Sequence, residues 1–370
     1  MCIGLFSPLF AVMLGLAAPA STQAQTLLQE QPQPETLPDA PPVGWQLAPG
    51  LTVSGYATGQ FLAPLGDTEL PDNPGDVNNT QFSRRARFNL SHLSAIAWWE
   101  PAADWKLLGE IDLQNIAQLP SGSGAQYGAA ASAYVALERV YADYRATDAL
   151  TLRAGKFLTP IGHWNQDHSD PQTWTVLRPL ISQAAFPTSV TGLMAFGSLP
   201  MADQWLDYQL YASNGGEWRP SPWTHPFDSA FGGRLSTSLN PDFKMGVSLS
   251  RFFERETPGN EFLLAGVDAA WTLGRAELSM EAMHRRSPGG QGGERGWFLQ
   301  GALPVAGRWW LTGRQEYYRR DVDGWSSRST LIGAVYKGVD HWTFKIEWVQ
   351  LSARAVGQPA GLLSSLTLAF

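Results

Sequence analysis

From Leu51 onward the chain alternates apolar and polar residues. The clearest case is Trp342-Thr343-Phe344-Lys345-Ile346-Glu347-Trp348, where even positions are large and apolar and odd positions carry a hydroxyl, an ammonium and a carboxylate. Period 2 is the side-chain period of a β-strand, so the two sets face opposite sides of a sheet. Leu206, Tyr208, Leu210 and Ala212 alternate in the same way with Asp207, Gln209 and Tyr211. Leu107, Ile111 and Leu113 stand against Glu110, Asp112 and Gln114, and Ala276, Leu278, Met280 and Ala282 against Arg275, Glu277, Ser279 and Glu281.

Read this way, the sequence predicts sixteen strands, over residues 51–63, 82–98, 105–116, 135–146, 150–158, 189–197, 205–213, 231–239, 243–253, 261–272, 276–286, 297–303, 308–319, 328–337, 341–351 and 362–370, with 14 to 18 as the range. Connections between them are short and long by turns. The short ones (100–104, 147–149, 198–204, 240–242, 273–274, 304–307 and 338–340) are rich in turn-forming residues. The long ones cover 64–81, 117–134, 159–188, 214–230, 254–260, 287–296, 320–327 and 352–361. That layout predicts an all-β chain, a transmembrane antiparallel β-barrel with both ends on its short-turn, periplasmic side. Trp98, Trp99, Trp105, Trp205, Trp271, Trp309, Trp310, Trp342 and Trp348 fall near strand ends, where membrane-interface girdles place aromatic rings.

Composition narrows the alternatives. Of 370 residues, 44% are hydrophobic but only 16% are charged, below the roughly 25% of an ordinary soluble domain. Mean hydropathy is nevertheless −0.17, and past residue 20 no apolar run reaches the roughly 20 residues of a spanning helix. A helical membrane protein is excluded, and a large soluble β-sandwich or propeller is the competing class. The single Cys, Cys2, lies in the apolar stretch Cys2 to Ala20, which ends in small residues at Ala18-Pro19-Ala20 and again at Thr22-Gln23-Ala24. Residues 1–24 therefore read as a secretory signal peptide, although no Lys or Arg precedes its apolar part. Residues 25–50, with six prolines, read as an extended periplasmic tether, and 51–370 as the barrel.

The longest connection, 159–188, holds Trp164, Trp174, Val176, Leu177, Leu180, Ile181 and Phe186. Thirty residues without strand pattern usually carry function, and this composition does not suit a solvated surface loop. The expectation is a third external loop that folds into the lumen and constricts it; a ring of this size is wide enough for an aqueous channel.

A family resemblance rests on particular residues. They are Arg84-Arg85-Ala86-Arg87, Trp105-Lys106, Glu110-Ile111-Asp112, Ala133-Tyr134, and Leu152-Arg153-Ala154-Gly155-Lys156-Phe157 with Pro160 and Gly162. This set, within residues 80–165, resembles the N-terminal half of the phosphate-selective porin (O and P type) family. The resemblance implies a 16-stranded outer-membrane channel, commonly a homotrimer, that passes small anions or general hydrophilic solutes. Phe370, closing an alternating strand, resembles the C-terminal signal read by the barrel assembly machinery of Gram-negative bacteria.

Charge qualifies the anion expectation. Rings of Arg or Lys favour anions. Arg85 and Arg87 face opposite to Phe88 and Leu90, which predicts luminal side chains, and Arg153, Lys156 and Arg178 could join them near the long loop. Glu110 and Asp112 are expected to be luminal too, the net charge is −7, and the chain has only five lysines. A transverse field, arginines against acids, fits this better than a lysine ladder. His163, Asp167, His168 and Asp170 match no metal motif and are expected to line the constriction; no metal and no cofactor is expected. The six histidines sit in no nucleophile motif, which leaves a barrel phospholipase as a minor alternative. Nucleic-acid binding does not suit a pI near 5.4. Arg285-Arg286 and Arg319-Arg320, at external strand ends, are expected to meet lipopolysaccharide phosphates in the outer-membrane lipid. Two channel readings stay open: passive diffusion of small hydrophilic solutes, or a solute-specific channel for phosphate or another anion, a sugar or an aromatic compound.

Overall fold

The computed structural model describes residues 44–65, 68–71, 80–83, 86–120, 134–201, 203–216, 226–255, 261–289, 293–321, 324–338, 341–353 and 358–370. The expected signal peptide and nearly all of the tether lie outside them. The strands are β1 (Trp45–Ala48), β2 (Leu51–Pro64), β3 (Thr68–Pro71), β4 (Thr80–Ser83), β5 (Arg87–Ala102), β6 (Trp105–Pro120), β7 (Tyr134–Thr147), β8 (Leu150–Leu158), β9 (Ser189–Met201) and β10 (Gln204–Ser213). They continue as β11 (Phe227–Asn240), β12 (Phe243–Glu254), β13 (Glu261–Leu273), β14 (Ala276–Arg286), β15 (Glu294–Ala306), β16 (Trp309–Arg320), β17 (Ser326–Lys337), β18 (Trp342–Leu351) and β19 (Gly361–Ala369). One short helix, α1 (Leu180–Ala184), lies in the longest connection.

Sixteen strands make a closed antiparallel ring. β2 pairs with β5, each strand from β5 to β18 pairs with the next, and β19 returns to β2. At this seam Leu362 stands opposite Ala63 and Ala369 opposite Tyr56. Phe370 continues it by exchanging backbone hydrogen bonds with Gly55 at 2.8 and 2.9 Å. β1 is an extra strand on the free end of β2, with Trp45 opposite Val53 and its ring 5.8 Å from that of Phe370. β3 and β4 form a small hairpin in the first long connection.

Each of the expected strands is present, but several run further toward the short turns. Pro101, Pro200 and Pro304, read from sequence as turn residues, lie inside strand ends. Register shifts at Trp99/Ala102 and Pro304/Ala306 accommodate two of them, since proline cannot donate to a regular ladder.

Alternation sorts the side chains. On β12 Met245, Val247 and Leu249 point outward and are exposed, while Ser248, Ser250, Phe252 and Glu254 are buried inside. On β18 Trp342 and Trp348 are exposed and Thr343, Lys345 and Glu347 are buried. The barrel is thus apolar outside and largely polar inside, which suits a lipid surround. Trp99, Trp105, Trp271, Trp309 and Trp342 form outward aromatics near the short turns. Trp98 and Trp310 do not join them; each packs against buried residues of the interior, because neighbouring strand residues face opposite ways.

The alternation breaks where strands bulge. A register shift between Leu90 and His92 moves the outward set from Phe88 to Leu93 and Ala95. At Gly155 φ is +132°, and Arg153, Lys156 and Phe157 are all buried around it. A Cβ on Gly155 would lie 2.2 Å from the Val140 carbonyl oxygen on the neighbouring strand. Gly155→Ala is therefore expected to lower stability by about 1–3 kcal/mol, read as an earlier urea midpoint for loss of the heat-modifiable gel band.

Candidate channel constriction

The segment 159–188 lies within the ring, and the inner wall binds it through its backbone. Gly162 donates to Ser248 Oγ at 3.1 Å, and His163 donates to Glu281 Oε1 at 2.9 Å, with Trp164 donating to the same oxygen. Gly162 has φ +67°, and a Cβ there would lie 2.4 Å from Glu281 Oε2, so only glycine lets the chain pass this carboxylate. Val176 and Leu177 donate to the two oxygens of Glu347 at 2.9 and 3.1 Å, Leu180 donates to Glu316 at 2.8 Å, and the Trp174 indole to Glu277 at 2.7 Å. Cations serve the carbonyls. Arg314 donates to Thr175 Oγ1 and the Leu177 carbonyl at 2.8 Å, and Lys345 to the Asp170 carbonyl and Thr173 Oγ1 at 2.8 and 2.7 Å.

An apolar core backs these bonds. Leu180, Ile181, Ala185 and Phe186 pack in one cluster with Phe252, Phe262, Phe298 and Tyr318 of the wall. The loop is therefore fixed to β12–β18. Its other face looks toward β2 and β5–β7.

That second wall carries charge of both signs. Glu110 accepts from Arg139 Nε at 2.5 Å and from Ser94 at 2.9 Å; Asp112 lies 2.7 Å from His92 Nδ1. Arg153 grips Asp143 with two bonds of 2.6 and 2.7 Å, its guanidinium 3.7 Å from the Tyr141 ring centre. Charged groups of the loop meet this wall. His168 Nε2 is 3.6 Å from Glu138, and Arg178 stacks 4.9 Å from the Trp164 ring centre within the field of Glu138. Burial alone would raise the Asp170 carboxyl, but the charges of His92 and Lys345 and a hydrogen bond from Thr58 hold it below its ordinary value.

Among the expected site residues, Glu110, Asp112, His168, Asp170 and Arg178 meet in this region. Lys156 is buried close enough for its charge to act on Glu138. Arg153 is luminal as expected, but Asp143 neutralises it. His163 contributes its backbone to the anchoring, and Asp167 is half-buried with its charge felt by Lys337. Arg85 lies outside the described residues, and of Arg87 only the backbone is described. No group of three metal-ligating side chains occurs among the described residues; His168 and Asp170 turn to different partners. Sequence reasoning passed over His92 and Arg139 as lumen residues and noted Glu138 only as an acid close in sequence to Glu110 and Asp112. Register shifts on β5 and β7 place these three, and no local pattern announces them. Glu281, Lys345 and Glu347 were legible as inward-facing charges, but their partners in the loop were not.

No family model matches the chain, and no curated protein matches it. Solved structures do. The outer membrane channel DcaP of Acinetobacter baumannii superposes with a TM-score of 0.58 at 10% identity, over 88% of this chain and 99% of that one. Salmonella typhi OmpF, solved in complex with daunomycin, gives 0.57 at 10% over 86% and 97%, and an anion-selective porin from Comamonas acidovorans 0.55 at 11% over 86% and 99%. A trimer form of OmpT, an outer membrane protein of Vibrio cholerae, gives 0.50 at 10% over 86% and 99%. The fold is that of the outer-membrane porins. At these identities the likeness is one of fold.

Removing the anchoring carboxylates tests the attachment. Each buried N–H left without its acceptor costs about 1–3 kcal/mol. The double variant Glu316→Ala, Glu347→Ala is expected to admit proteinase K into residues 159–188, cutting at least tenfold faster than in the parent, as read by intact mass.

Proposed function

We propose that this protein is a Gram-negative outer-membrane porin, a water-filled channel for passive diffusion of small hydrophilic solutes, narrowed by residues 159–188. The observation that carries this reading is the loop bonded to the inner wall at β12–β18, with its remaining charged side chains turned toward those of β2 and β5–β7; on this reading solutes pass along that charged face. The apolar outer surface supports a membrane setting, with the long loops outside the cell and the short turns in the periplasm. Residues 1–24 would direct export, residues 25–50 would tether the barrel on the periplasmic side, and Phe370 would serve assembly. A homotrimer is the assembly we favour, in keeping with the trimer form of the Vibrio cholerae protein.

The charges at the constriction are mixed. Glu110, Asp112, Glu138 and Asp170 stand against Arg139, Lys156 and Arg178, with His92 and His168 between. Opposed charges across a narrow gap orient dipolar solutes and give little net ion preference. This arrangement favours a general channel over the phosphate selectivity implied by the resemblance, which requires a dense run of cations.

Planar-bilayer recording tests the proposal. Wild-type protein is expected to give ohmic steps that rise linearly with salt and are not blocked by millimolar phosphate or sugars. The anchor-free double variant should conduct more. Glu138→Gln with Asp170→Asn should move the reversal potential in a salt gradient toward anions, and Arg178→Gln toward cations. Absence of conductance, or saturating block by one solute, would overturn the passive reading.

A further inference from the structure

The short-turn rim of the barrel is not uniform in charge. From β5 to β12 it carries the acids Glu100, Asp104, Asp148, Asp203 and Asp242 against Lys106, Arg145 and Lys244. Lys106 and Arg145 are matched there, to Glu100 at 3.6 Å and to Asp104 at 3.4 Å. From β13 to β18 the rim carries Arg275, Arg308 and Lys337. Arg275 lies 5.2 Å from the Trp310 ring centre, and Lys337 lies 3.6 Å from that of Trp174. None of these three makes an ion pair among the described residues. Lys337 feels the charges of Glu277 and Asp167 but bonds to neither, and Glu277 accepts the Trp174 indole at 2.7 Å. One side of the opening thus presents three unmatched cations.

The chain enters the ring beside this sector. β1 takes the place on β2 that β19 leaves, two strand positions from β17. Its ladder cannot run past Gly44, because the next position on β2, Gly55, exchanges both backbone bonds with Phe370. On the outer face the Trp45 and Phe370 rings pack together, and the Phe370 ring covers Gly55. A Cβ on Gly44 would lie 2.9 Å from Thr52 Cγ2 and 3.3 Å from Ser54 Cβ, on the inner face. These contacts direct the preceding residues toward the mouth of the lumen. Residues 33–43 hold Glu35 and Asp39 and no cation; the first Lys or Arg of the chain is Arg84. Their four prolines favour an extended run of about 3.1 Å per residue, which puts Asp39 about 16 Å and Glu35 about 28 Å from Gly44. Strands lie about 4.8 Å apart, so Lys337, Arg308 and Arg275 stand about 10, 14 and 24 Å around the rim from β1.

We propose that residues 33–43 dock on this cationic sector, Asp39 at Lys337 and Arg308 and Glu35 at Arg275, and cover one side of the short-turn opening. The acidic sector across the rim repels them. Exposed ion pairs are individually weak, but β1 ties the segment to the rim, so its effective concentration is that of a short linker. Its prolines also leave it less conformational freedom to lose on docking. The inference deepens the tether reading above, on which it rests, and does not depend on conduction.

Carbodiimide coupling of carboxylates to lysine amines in the full detergent-purified protein, read by tandem mass spectrometry, tests it. Asp39 or Glu35 is expected to join Lys337 within one chain, at least tenfold more often than Lys106 or Lys244 across the rim. Coupling should fall at least fivefold in about 1 M salt, where screening shortens to about 3 Å. The variant Arg308→Lys supplies a second amine at the rim and should couple to Asp39 as well. The double variant Arg275→Gln, Arg308→Gln should cut coupling to Lys337 at least fivefold while keeping the heat-modifiable band. Equal coupling to Lys106 and Lys244, undiminished coupling in high salt or in the folded double variant, coupling only between chains, or no coupling in both the parent and Arg308→Lys would overturn the proposal. A protein that couples as expected but does not conduct would sink the channel reading and leave this one standing.

Discussion

A backbone N–H or C=O that faces lipid has no water to turn to, so every strand must find two neighbours. The return of β19 to β2 meets that requirement, and the rest of the molecule depends on it. Once the ring closes no strand edge of it is left unpaired, and the alternation along each strand becomes a division between outside and inside. The seam is carried to the last residue by the paired bonds of Phe370 with Gly55, and β1 covers the part of β2 that β19 does not reach. Closing the ring at sixteen strands also creates an interior too wide for wall side chains alone to fill.

The protein fills part of that interior with its own chain. A loop entering a polar lumen faces a difficulty: its N–H and C=O groups leave water, yet it forms little helix and no strand. The wall supplies the missing partners. Glu281, Glu316 and Glu347 accept from loop N–H groups, and Arg314 and Lys345 donate to its carbonyls. Bonds to charged groups are worth about 1.5–3 kcal/mol each, more than neutral ones. The phenylalanines of the wall then give the loop an apolar floor. Together these make residues 159–188 a fixed partition. The buried ion pairs, Arg153 with Asp143 and Arg234 with Asp268, contribute differently. Removing both partners of such a pair is often tolerated, whereas removing one strands a charge, so their effect is to fix which side chains meet.

Much of this was readable from the chain. Alternation located each ring strand, and the short and long connections gave the topology, because both follow from single-residue geometry and turn chemistry. The loop's tryptophans and its Leu180, Ile181 and Phe186 marked it as internal, since such residues do not stay in solvent. What escaped the sequence is long-range or depends on one inserted residue. A bulge near Ser91 flips parity on β5 and turns His92 inward. The register shift near Glu138 brings Arg139 to Glu110. Adjacent arginines looked equivalent until the strands assigned Arg285 and Arg320 inward and Arg286 and Arg319 outward. Which wall carboxylate would meet which loop amide was invisible, because their separation exceeds one hundred residues in every case.

This division of roles also changes what the net charge of −7 means. An acidic chain enclosing a channel invites the reading of a cation path. Yet the glutamates that make the interior acidic, Glu277, Glu281, Glu316 and Glu347, bind the tryptophan indole and amides of the loop. Glu254 and Glu294 hold Arg285. Those charges hold the loop and the wall together and are matched by these partners. The charged groups on β5–β7 and on the face of the loop toward them nearly balance. In a channel, ion preference follows the local balance of charge at the narrow point, so the net charge of the chain does not by itself predict it.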